Sequence, residues 1–315
     1  MKHVFIIDPN TFSGQQWRMD GLLDSIGQHF RTQAMPDFTT AISKFPREAL
    51  GIIQRQVDEA DGEAMRIYAV GGNEILFDCL NGIVGLPKIE LGAMPYRGVN
   101  TFILSFGEGK AESFKNISSI TTAPTISTDV IKAGNNYALS GCAVGFTAAV
   151  AIKVRETESA KSARGLKRFV AGLRRFFTSC SFLFDKTVVA CHYKIMIDNE
   201  DYSGHYSLVS VVNAPYFGRK KTPLAEASPN DSFLDVVLFK SVAMLPTLIG
   251  FQGYYRGKMP SHCVRVRAKR IEISSDKPMW IQTDSEHLVD TSIDFEVIPG
   301  AVQIVAVDNL TYQEC

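Results

Sequence analysis

Apolar positions in the first third of the chain follow two alternating rhythms. Short runs at 4–7, 67–70 and 89–94, apolar but for Glu90, read as strands buried on both faces. Between them, residues 15–29, 45–60 and 75–83 repeat apolar side chains at helical spacing, with Leu50, Ile52, Ile53 and Val57 on one face of the second. This alternation predicts a parallel sheet with helices on both faces. Ligands of such sheets lie beyond the carboxyl ends of the strands, where residues 8–14 and 71–75 fall.

The rhythm changes near residue 125. Strand-like runs follow at 187–198, 205–213, 234–239, 263–274 and 279–283, with one helical stretch at 242–255. Turn-forming clusters at 199–201, 228–232 and 275–278 separate them, the pattern of an antiparallel sandwich or barrel. The expected fold class is therefore α/β plus all-β. A first domain would span 1–127 with a parallel sheet, and an antiparallel β-sandwich domain would span 128–294.

Composition narrows the function classes. The 315 residues include 33 basic and 33 acidic side chains, so no global field draws the chain to nucleic acid. No apolar run reaches the ~18–20 residues of a membrane span, and the first strand lacks a signal-peptide pattern. The six cysteines show no CxxC or metal spacing, which suits reduced thiols in a cytoplasmic setting. The six histidines show no HExxH or paired ligand spacing either.

Three stretches carry candidate chemistry. Arg66–Val70 runs into Gly71 and Gly72, and a helix pattern opens at once, so backbone N–H groups there can face an anion. Asn73 can hydrogen-bond a phosphate or ribose but cannot serve as a carboxylate, and Glu74 suits the start of the following helix. Asp284 and Glu286, two apart on a strand-like run, would share one face and could share a metal ion, a water or a proton. Residues 164–177 place Arg164, Lys167, Arg168, Arg174 and Arg175 opposite an apolar face, a pattern that packs on its own domain or lies on an anionic membrane. Walker A, GxGxxG and GxSxG motifs are absent.

The order of these pieces resembles the diacylglycerol and sphingosine kinase family of lipid kinases. Gly71-Gly72-Asn73-Glu74-Ile75 stands where that family has GGDGT, and Asp8-Pro9 with Ser13-Gly14 is similar to its NPxSG loop. Ser43 to Ala49 resembles TxxPxxA, and Leu91 to Phe102 resembles LGIIPLGTGNDF, keeping Pro95, Asn100 and Phe102 but with Arg97, Val99 and Thr101 substituted. Residues 137–148 resemble YFLNxxSxGFDA with Thr147 in place of Asp. Segments at 212–218 and 223–236 and the Asp284-Ser285-Glu286 position, DGE in the family, follow in order.

The resemblance implies transfer of the γ-phosphoryl of ATP, with Mg2+, to a lipid hydroxyl. It implies a first domain that binds nucleotide through Ser13, Gly14, Ser43, Gly71, Gly72, Asn73 and Asn100, with 295–315 returning to it. It places Asp284 and Glu286 as catalytic and metal-binding groups, Asp284 as the base. A lipid substrate, peripheral membrane contact through 164–177, no nucleic acid and room for a homodimer complete the expectation. The substituted loops leave a second reading, a catalytically inactive homologue that binds a lipid or a partner, and a third, a kinase of sugars or polyols.

Overall fold

The computed structural model describes residues 1–12, 14–35, 37–96, 100–157, 190–217, 220–221, 224, 226–254 and 256–312. Ser13, Arg97, Val99 and the basic stretch 164–177, with its proposed membrane contact, lie outside the described residues.

The first half runs β1 (Lys2–Ile7), α1 (Gln16–Thr32), β2 (Phe38–Ile42), α2 (Glu48–Ala60), β3 (Met65–Val70), α3 (Asn73–Ile83) and β4 (Ile89–Met94). β1 pairs in parallel with β2 and β3, and β3 in parallel with β4. Every residue of β3 is buried, which is why residues 67–70 read as an unbroken apolar run, and the buried Arg66 pairs with Glu90 of β4. The half-buried edge strand β2 went unseen, because Thr39 and Thr40 dilute its apolar signal. α2 begins three residues later than the periodicity suggests. Pro46 and the left-handed Arg47 (φ 63°) precede it, and the Glu48 carboxylate caps the approach by accepting from the amides of Lys44 and Phe45.

The chain continues with α4 (Ile117–Thr122), β5 (Thr125–Ala133), β6 (Asn136–Ala138), β7 (Gly141–Gly145), α5 (Phe146–Thr157), β8 (Cys191–Ile197), β9 (Glu200–Asp201), β10 (Gly204–Val212), β11 (Tyr216–Phe217), β12 (Lys220–Lys221) and β13 (Leu234–Lys240). α6 (Met244–Tyr254), β14 (Cys263–Ala268), β15 (Arg270–Thr283) and β16 (Glu286–Val305) complete it. Strands β7, β8, β10 and β15 pair antiparallel in a closed ring. Cys142, Tyr193, Ile195, Val209 and Ile281 from these strands fill one hydrophobic core, distinct from the core around β1, β3 and β4.

Two expectations change here. The run at 263–274 is two strands, broken at Lys269, whose amide turns to the Asp198 carboxylate. The cluster at 275–278 is no chain reversal; β15 passes through it, and the register with β16 shifts between Ser274 and Met279. β16 joins the halves. Its first part pairs antiparallel with β15, and Gln303 and Ile304 then lie parallel to Glu90 and Leu91 of β4. Among the described residues, no helix is long and apolar enough to cross a membrane.

Candidate functional site

Loops after β1, β3 and β4 converge at the carboxyl edge of the parallel strands. Gly71 donates to the Met94 carbonyl at 3.0 Å, and the Asp8 amide to the Val70 carbonyl at 3.0 Å. A Cβ on Gly71 would stand 2.8 Å from Ile75 Cγ2, 2.9 Å from Thr11 Oγ1 and 3.2 Å from Asp8 Cβ, so the corner closes only around glycine. Asp8 turns back on its own loop, accepting from the Asn10 amide at 2.9 Å and the Thr11 hydroxyl at 3.3 Å.

Asn73 opens α3, but its side chain is committed. Its Nδ2 donates to Thr101 Oγ1 at 2.8 Å, and its Oδ1 accepts from the Thr101 amide at 2.9 Å. One N–H and one lone pair remain for a ligand. Asn100 is buried and caps the next 3-10 turn, accepting from the Phe102 and Ile103 amides at 3.1 and 3.4 Å. Glu74 is exposed in the first turn of α3, where the helix dipole favours an acid. Among the described residues, Thr147 Oγ1, at the start of α5, is buried without a hydrogen-bond partner.

The acids at 284 and 286 do not share a strand face, contrary to the sequence expectation. Asp284 (φ 32°) lies in the turn between β15 and β16, and Glu286 begins β16. The Asp284 carboxylate accepts from the amides of Leu139 (2.7 Å), Ser140 (3.2 Å) and Gly141 (3.1 Å). Burial pushes its carboxyl above the usual range, and the three amides oppose that shift. Glu286 instead meets Arg47, whose Nη1 donates to Oε2 at 2.8 Å. The same guanidinium reaches Asn136 Oδ1 at 3.3 Å, and the Arg47 amide donates to Asp78 Oδ2 at 2.8 Å. Burial raises the Asp78 carboxyl, against the stabilising Arg47 amide and charge.

Two cavities border this assembly. One, of about 330 Å³, lies between Ser43, Lys44, Arg47 and Glu74 on one side and Ser285, Glu286 and His287 on the other. The second, about 230 Å³, joins Asn73, Asn100 and Thr101 to Ser140, Gln282 and Asp284 over a floor that includes Leu76 and Phe102. Ser43, Asn73, Asn100, Asp284 and Glu286 are thus brought to cavity walls, with Gly71 and Gly72 shaping the corner behind. Gly14 (φ 76°) lines neither cavity. Arg47, Asp78 and Asn136 escaped the sequence reading. The one signal for them was a cation beside Pro46, which says nothing about partners far along the chain.

The residues do not fit a resident Mg2+. Among the described residues no group of three or more His, Cys, Asp or Glu side chains could hold a metal ion. Asp284 aims its oxygens at amides, and Glu286 is paired with a cation, so the expected pair of metal carboxylates is not assembled.

Comparison with known proteins accords with this architecture. Residues 168–306 match the YegS C-terminal NAD kinase beta sandwich-like domain. Proteins named "Putative lipid kinase" from Staphylococcus aureus strains N315 and Mu3 are each 24% identical over 299 residues, covering 88% of this chain and 93% of theirs. A structure described as "A putative diacylglycerol kinase from Bacillus anthracis str. Sterne" superposes with a TM-score of 0.72 at 22% identity, covering 98% of both chains. A second, described as a diacylglycerol kinase of the same organism, gives 0.65 at 19% over 98% of each chain. The fold is thus shared end to end with these structures and residues 168–306 match the C-terminal domain, so the chain is similar to proteins named as putative lipid kinases and diacylglycerol kinases.

Proposed function

We propose that the protein moves the γ-phosphoryl group of ATP to the hydroxyl of a lipid of diacylglycerol or sphingoid type. The observation that carries this reading is the meeting of the first turn of α3 with the 284–287 hairpin around the same pair of cavities. Phosphoryl transfer asks for positioning and charge stabilisation more than for covalent chemistry. Lys44 and Arg47 supply the cations of the larger cavity, and Phe45, 67% exposed on its wall, offers a face to the adenine.

The smaller cavity would take the acceptor. Its Leu76, Phe77, Leu80, Phe102 and Leu139 side chains suit the apolar part of a lipid beside its hydroxyl. Asp284 is the proposed base. Three amides and the Ser140 hydroxyl hold the carboxylate in place at the cavity wall, where it would accept the hydroxyl proton in exchange for one of these bonds. Burial that raises its affinity for a proton makes it a better base.

The test is label transfer from γ-labelled ATP across a panel of lipids, with wild type beside Asp284→Asn. Labelled lipid from the wild type and none from the variant supports the reading. Equal background from both overturns it and favours the inactive, binding homologue. For that alternative the specific support is that Asp284 and Glu286 are both already engaged by protein partners.

A further inference from the structure

Far along the sheet from the cleft residues, two histidines that show no ligand spacing in the sequence are brought together by strand pairing. β8 and β10 run antiparallel with His192 directly opposite His205. Both are exposed, whereas Cys191, Tyr193 and Tyr206 on the same strands are buried in the core. The ring centroids are 5.1 Å apart and the planes cross at 70°. Two imidazoles bound to one tetrahedral ion have centroids on the order of 5 Å apart, given metal–nitrogen bonds of about 2 Å.

A second observation fixes the tautomer. His205 Nδ1 lies 3.3 Å from the Ala190 carbonyl oxygen. A carbonyl can only accept, so Nδ1 carries the hydrogen, and in the neutral ring the lone pair then lies on Nε2. Metal-bound imidazoles are held in this way, the far ring nitrogen donating to a carbonyl or carboxylate. The His192 ring makes no hydrogen bond among the described residues, so both of its nitrogens are open to rearrangement.

We propose that His192 and His205 form a two-imidazole site for a borderline divalent ion of the Zn2+, Ni2+ or Cu2+ class, with water completing the coordination. Imidazole suits these ions and not Mg2+, which prefers oxygen ligands. Binding order follows the general series, with Cu2+ tightest. The nearest cation along β8, Lys194, lies 3.9 Å from Asp276, which offsets its repulsion of an incoming ion. An ion held here ties β8 to β10 and stabilises the folded chain by mass action. This inference does not depend on the kinase reading.

The experiment uses the full chain titrated with Cu2+ and followed by electron paramagnetic resonance, alongside thermal unfolding with Zn2+. The expected result is one Cu2+ per chain showing two equatorial nitrogens, and a melting temperature that rises with Zn2+. His192→Gln and His205→Gln should each weaken binding about tenfold or more and abolish the Zn2+ effect, while His262→Gln leaves both unchanged. Both target rings are exposed, so the substitutions should spare the fold, and circular dichroism checks that. A wild-type spectrum without two nitrogens, or target variants that bind as tightly as wild type, would overturn the proposal.

Discussion

The Arg47 guanidinium donates to the Glu286 carboxylate at 2.8 Å, joining residues 239 positions apart across the larger cavity. Arg47 holds this pose from a left-handed backbone (φ 63°), with its amide on Asp78. Its side chain is 43% exposed and that of Glu286 34%, so solvent screens the pair. Arg47→Ala and Glu286→Gln should therefore each change unfolding free energy by under about 1 kcal/mol. Their effects on nucleotide should differ in sign. Arg47→Ala removes a cation from the cavity and should weaken ATP binding, while Glu286→Gln releases that cation and should strengthen it. Denaturant unfolding and titration on the same samples check both halves.

Asp284 makes the opposite case. An Asn there presents one acceptor oxygen and an amino group to three amides, leaving buried donors unmatched. Asp284→Asn should lose about 2–3 kcal/mol of stability, read as a fall in the denaturant midpoint at unchanged slope. A loss below about 0.5 kcal/mol would mean that the amides do not hold this turn.

Gly71→Ala tests the corner itself. The added methyl meets Ile75, Thr11 and Asp8 at 3.2 Å or less, with a backbone φ of 156°. Overpacking of this kind costs about 1–3 kcal/mol, and the displaced α3 start should also weaken nucleotide binding. Gly85→Ala is the control for backbone strain alone, since its φ is 86° but its Cβ meets nothing within 4 Å.

Acid sensitivity should arise in part from His3. Burial, reinforced by the Arg66 charge, lowers its pKa from 6.5 to about 4. The Tyr68 hydroxyl lies 2.7 Å from its Nδ1 and suits the neutral ring as a donor to that lone pair. Between these two pKa values the unfolded chain binds a proton that the folded chain does not. Stability from this group is complete above pH 6.5 and is lost as pH falls toward 4, by about 3 kcal/mol. His3→Asn, which keeps an acceptor for Tyr68, should flatten unfolding free energy against pH over that window. An unchanged slope would contradict the assignment.

The parallel strands and the twin-glycine corner were legible because burial on both faces makes β1, β3 and β4 largely apolar, broken in β3 and β4 only by the paired Arg66 and Glu90, and Gly71 has a steric reason to be glycine. The hairpin at 284–285 was not. Asp284 adopts φ 32° without a glycine to mark the turn, so Asp284 and Glu286 read as two positions apart on a strand-like run, sharing one face. Arg47, Asn136 and the two histidines were invisible for a different reason. Their partners are fixed by the packing of β16 and the register of β8 against β10, and no local pattern encodes either.

Isothermal titration of ATP, with and without Mg2+, into wild type and Arg47→Ala tests the nucleotide cleft most directly. One binding event in the wild type at or below millimolar nucleotide, weakened in the variant, is the predicted result. No heat from the wild type at millimolar ATP under either condition would contradict it.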